Sequence, residues 1–135
     1  MRPSKSKTGF VLGVGCLLLV CLAPACSSTQ PPEATEATHL RILNQSSYTL
    51  EQVRVEVMEQ VEDFGRVPPN EPTAYKPFEI AYRYAYVECV VEGQTLVLEP
   101  IDYVGETPLG PGFFTYLLTV DLQNERLALV LVEDG

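Results

Sequence analysis

The residue types that usually do chemistry are few in this chain and poorly placed to cooperate. Its one histidine, His39, stands where a polar segment meets the first apolar one, a position that suits a solvated side chain better than a general base. No histidine pair or cysteine cluster has the spacing of zinc ligands. Beyond residue 25 the serines are Ser27, Ser28, Ser46 and Ser47, and none sits in the strand–turn–helix setting that exposes a nucleophile. No glycine-rich loop is present to cradle a phosphate. The eighteen acids could include a glycosidase-type pair, but that chemistry depends on a separation in space that linear spacing does not encode. The expectation is a non-catalytic chain with no metal and no cofactor.

Two features point to binding instead. Tyr82, Tyr84 and Tyr86 alternate with Ala81, Arg83, Ala85 and Val87, and in a strand that period puts all three rings on one face. Large rings usually supply the core of a small domain. If instead the face of Ala85, Val87, Cys89 and Val91 is the buried one, the tyrosines form an exposed strip suited to protein or to a neutral glycan. The second feature is residues 100–112, with three prolines and three glycines, the longest break in the strand pattern. Asp102, Tyr103 and Glu106 make it a candidate binding surface, though the carboxylates lack the spacing of a calcium loop. The plainer expectation is a connector crossing between sheets, with Tyr103 and Leu109 pinned to the core.

The elements that must position these residues read as strands. Val53, Val55 and Val57 alternate with Arg54 and Glu56, the period of a half-buried strand. Asn44-Gln45-Ser46-Ser47 is a turn cluster after Leu40-Arg41-Ile42-Leu43. Val67-Pro68-Pro69-Asn70-Glu71-Pro72 is a break, because three clustered prolines cannot sit in a central ladder. Residues 80–91 read as one long strand that turns through Glu92-Gly93-Gln94 into Thr95-Leu96-Val97-Leu98. Residues 113–122 and 126–132 form a closing hairpin. Seven or eight short strands with no three-turn amphipathic helix predict a small all-β antiparallel sandwich over residues 39–135, with a small barrel as the alternative.

The N-terminus carries a different kind of signal. Arg2, Lys5 and Lys7 precede an apolar run over residues 10–22, followed by Ala23-Pro24-Ala25-Cys26. Charge, apolar stretch and small-residue exit are the parts of a secretory signal. With a cysteine directly after Ala25, it resembles a bacterial lipoprotein signal. Ala23 stands where that family prefers leucine, and Pro24 is less usual there than alanine or serine. The resemblance implies cleavage after residue 25 and acyl chains such as palmitate on Cys26. With about 0.8 kcal/mol per buried CH₂, two or more chains hold a protein on a membrane stably. The 17 apolar-rich residues from 9 to 25 are short for a spanning helix, which needs about 20. Residues 26–38 then form the lipidated cysteine and a polar tether. Residues 40–135 resemble the small immunoglobulin-like or transthyretin-like sandwich domains of bacterial lipoproteins. That likeness rests on strand order and implies no activity.

Charge and cysteines follow from this division. Residues 1–25 hold three of nine basic residues and none of the eighteen acids, so the remaining 110 residues carry six bases against eighteen acids, a net charge of −12. Such a surface repels nucleic acid. Cys89 is the one cysteine beyond Cys26, so no disulfide framework is expected within the domain, and a buried inert thiol is the plain reading. The function that follows is a lipid-anchored, extracytoplasmic and non-catalytic module of the cell envelope, with a protein-interaction role toward an envelope protein or an accessory or structural one, and with glycan recognition by the tyrosine strip as the alternative. In a Gram-negative host, Ser27 after the cysteine favours the outer membrane.

Overall fold

The computed structural model describes residues 37–135, and these are all-β. The eight strands are β1 (Thr38–Asn44), β2 (Leu50–Val57), β3 (Gln60–Val67), β4 (Lys76–Phe78), β5 (Tyr86–Val91), β6 (Gln94–Leu98), β7 (Gly112–Asp121) and β8 (Arg126–Glu133). They form two four-stranded sheets, ordered β4-β1-β7-β8 and β3-β2-β5-β6. The sheets stay separate and pack face to face, so the fold is a sandwich and not a closed barrel.

The sandwich is not wholly antiparallel. β1 runs parallel to β7 over seven residue pairs, from Thr38↔Gly112 to Asn44↔Leu118. Parallel neighbours need a long crossover. Here the chain between them builds the entire opposite sheet before it returns, so both strands start from the same end.

Between the sheets lies the core. Leu40 and Ile42 of β1 and Tyr116 and Leu118 of β7 face Val53, Val55 and Val57 of β2 and Val87, Cys89 and Val91 of β5, all fully buried. Burying a valine or leucine side chain is worth about 1.5–3 kcal/mol, and this cluster holds the domain without a disulfide. Cys89 is buried among these residues. Burial pushes its thiol up to about 11, with the neighbouring Glu88 carboxylate adding to the shift, so it stays protonated and unreactive at neutral pH.

Two local devices set the registers. β2 buries Leu50 and then Val53, three residues on, which a strict period of two forbids. The pairing with both neighbours slips there, and Gln52 takes a positive φ of 51°. A bulge of this kind resets which face is buried. At the same end of the sandwich, the buried Asn44 amide donates to the carbonyls of Tyr48 (2.6 Å) and Val67 (3.0 Å) and accepts from the Ser46 amide and hydroxyl. The turn expected at residues 44–47 is therefore closed by side chains.

The long strand expected over residues 80–91 is shorter: β5 begins at Tyr86. Residues 80–85 are held by other means. Leu109 N–H donates to the Ala81 carbonyl at 2.8 Å, and the buried Tyr116 hydroxyl donates to the Tyr82 carbonyl at 2.6 Å. These two bonds take the backbone groups that a ladder would have used.

Candidate interaction surface

Because the strand begins only at Tyr86, the three tyrosines do not share a face. Tyr82 is 7% exposed and stacks on Tyr103, with centroids 4.6 Å apart. Tyr84 is half-buried, its hydroxyl donating to the Glu106 carboxylate at 2.6 Å. Tyr86 is half-buried on the outside of the β3-β2-β5-β6 sheet, donating to Glu88 at 3.0 Å. Both hydrogen-bonded tyrosines titrate above their ordinary value, first because a carboxylate accepts a hydrogen bond from the neutral hydroxyl and second through partial desolvation. The face of Ala85, Val87, Cys89 and Val91 is the buried one. The expected strip is thus divided among three settings.

The candidate residues of the 100–112 loop are likewise engaged within the fold. Asp102 accepts the Val104 amide at 3.0 Å in a tight turn, and Glu106 is taken by Tyr84. Tyr103 and Leu109 pack against the core, as expected of a connector. The Tyr103 hydroxyl has no hydrogen-bond partner. Among the described residues no group of three His, Cys, Asp or Glu could hold a metal ion. Cys26 and its tether up to residue 36 lie outside the described residues.

A surface not anticipated from the sequence lies on the outside of the β4-β1-β7-β8 sheet. Registers across β1, β7 and β8 align it in rows. Leu43, Leu117 and Val130 make one row, apolar on all three strands. Arg41, Thr115 and Val132 make the next, and His39, Phe113 and Asp134 a third, closed by the Asp134 N–H donating to the Phe113 carbonyl at 2.9 Å. Val130 is 58% exposed, Val132 39% and Phe113 37%.

The third row and its neighbour Tyr75 are tied together. Asp134 accepts from the Tyr75 hydroxyl at 2.7 Å and the Thr115 hydroxyl at 2.5 Å, with the Arg41 guanidinium 3.6 Å away. Arg41 also donates to Thr115 at 2.9 Å and lies over the Tyr75 ring. Desolvation alone would raise the Asp134 carboxyl, but these two hydroxyls and Arg41 outweigh it and hold it below the usual carboxylate range. Phe113 is fixed from both sides, stacked on His39 at 4.8 Å and meeting Tyr75 edge-on at 5.0 Å. A ring held this way loses little freedom when something packs on it.

In this arrangement the carboxylate accepts from two hydroxyls beside the Arg41 guanidinium, and the histidine is stacked. What it offers is a firm, partly aromatic platform beside an apolar row.

No family model and no curated protein matches the chain. Among solved structures it is similar to an NMR structure of a protein from Eubacterium rectale, with a TM-score of 0.54 and 11% sequence identity, covering 76% of this chain and 95% of that one. The likeness is one of fold.

Proposed function

We propose that this chain is a lipid-anchored module of the cell envelope, without chemistry of its own, that binds another protein through the outer face of the β4-β1-β7-β8 sheet. The observation behind this reading is the apolar row of Leu43, Leu117 and Val130 on a strongly acidic chain. Contiguous apolar surface of this kind marks interaction sites. The fixed Phe113 ring beside it has the character of an interface anchor, since aromatic residues in well-packed settings carry much of the energy of association.

The anchor supplies the setting. Acylation at Cys26 and the polar tether that ends before β1 at Thr38 would hold the domain on the extracytoplasmic side, near a membrane. Partner capture would then occur at high local concentration even where intrinsic affinity is modest.

The test is co-purification of the full-length protein from its native envelope after cross-linking, comparing wild type with Val130→Lys/Val132→Lys. A stoichiometric protein recovered with wild type and lost with the folded variant is expected. Recovery of the protein alone, or equal capture by both, would contradict the reading.

A further inference from the structure

The four sheet edges are unequal. β4 is three residues long and contains Pro77. β3 is bent by the irregular register around Gly65 and carries Glu62, Asp63 and Arg66. β6 has five residues and runs into Glu99-Pro100. Shortness, proline, irregularity and charge are the devices that keep edges from pairing with other chains. β8 carries charge only at its two ends, Arg126 and Glu133, and has none of the other devices. It pairs with β7 over eight consecutive residues without a shift, and its stretch from Leu127 to Val132 is wholly apolar.

The register shows which of its backbone groups are free to pair. Asp134 N–H bonds to Phe113 O, and in an antiparallel ladder bonded pairs alternate with unbonded ones. The even-numbered residues of β8 therefore bond to β7. Leu127, Leu129, Leu131 and Glu133 direct their N–H and C=O outward, with no strand beyond them among the described residues.

That edge borders a groove of about 880 Å³ between β8 and β6. Leu98, Ile101, Leu127 and Leu129 make its apolar lining, and Ile101 is fully exposed at 100%. Glu99, Asp102, Glu106 and Glu125 stand among its charged residues against Arg126 alone.

From the open edge, the apolar lining and the acidic rim together, we infer that β8 receives an extended segment of the partner protein as an added strand, with apolar residues at alternate positions and Lys or Arg at its flanks. Main-chain bonds to the four outward residues give affinity, and the groove reads every second side chain. Basic flanks answer the rim by charge. A second copy of this chain fits less well, because its β8 is flanked by Glu125, Glu133 and Asp134 against Arg126 alone, the opposite of the basic flanks that the rim calls for. Residues 27–36 of the chain itself offer two prolines, two glutamates and no large apolar residue, so they lack the required pattern. This inference specifies the partner's chemistry within the proposed function and rests on that reading.

The test is selection of random twelve-residue peptides from a display library on the full chain in detergent micelles. The expected result is enrichment of alternating apolar sequences flanked by Lys or Arg. Their binding should fall at least tenfold for Leu131→Pro, which removes an outward N–H from an edge where proline is tolerated. The double variant Glu99→Lys/Asp102→Lys, which leaves the strand itself untouched, should weaken binding comparably. No enrichment, acidic or helix-period consensus, or binding indifferent to both variants would overturn the inference. Co-purification of a partner sensitive to Val130→Lys/Val132→Lys would in that case still leave the interaction face standing.

Discussion

The outer faces of the two sheets are built from the same kind of strand and carry opposite chemistry. On the β3-β2-β5-β6 sheet one cross-strand row reads Asp63, Arg54, Glu88 and Val97, and the next reads Val61, Glu56 and Tyr86. Arg54 and Glu56 pair at 3.4 Å, and Tyr86 bonds to Glu88. On the β4-β1-β7-β8 sheet the central row is Leu43, Leu117 and Val130, and the neighbouring polar groups are tied into one network around Asp134. Charged residues beside one another on a sheet face suit water. An apolar row beside a fixed aromatic platform suits another molecule. Solubility alone explains the first face and not the second.

The largest expected difference between the faces is in binding. Val130→Lys/Val132→Lys should weaken partner capture by about 2–4 kcal/mol, the range of interface hot spots. Glu56→Lys/Glu88→Lys, an equal number of lysines on the other sheet, should leave capture within roughly twofold. Pull-down titrations with all three proteins check this, and equal losses would erase the distinction.

Stability should separate the faces as well. Asp134→Ala leaves Tyr75, Thr115 and Arg41 without their shared acceptor and should cost about 1.5–3 kcal/mol in urea unfolding, the range for hydrogen bonds to a charged group. The sign with pH follows from its depressed pKa. The contribution is present above the unfolded value of about 3.9 and is lost as pH falls through the lower folded value. The stability gap between wild type and Asp134→Ala should therefore close below about pH 4. Within the core, Tyr116→Phe strips the Tyr82 carbonyl of its donor and should cost about 1–2 kcal/mol, loosening residues 80–85 in amide exchange. Arg54→Ala, on the solvated face, should change stability by less than about 0.5 kcal/mol, as exposed ion pairs usually do.

Much of the fold was legible because burial follows local rules. Val53, Val55 and Val57 announced their strand, and the sandwich followed from strand count and turn spacing. The Leu50-to-Val53 interval already contained the bulge, since two buried residues three apart cannot share an undisturbed strand face. The β2–β3 hairpin lacked a turn signature: Met58 takes a positive φ of 55°, a conformation usually left to glycine or asparagine. The tyrosine alternation was real in sequence, but a hydroxyl from Tyr116, thirty-four residues away, took a carbonyl that the strand needed. The outer face was hidden for another reason. An unbroken run such as Leu127-Ala128-Leu129-Val130-Leu131-Val132 reads as a strand covered on both sides. Only its place at an edge reveals that one of those sides is open.

On the proposed reading, this protein meets its partner through the β4-β1-β7-β8 face. The most direct measurement is photo-cross-linking in the native envelope, with the reactive side chain placed at Val130 in one full-length protein and at Glu88 in another. A discrete protein adduct from position 130 and none from position 88 is the expected result. An adduct from position 88 alone, or none from either, would contradict it.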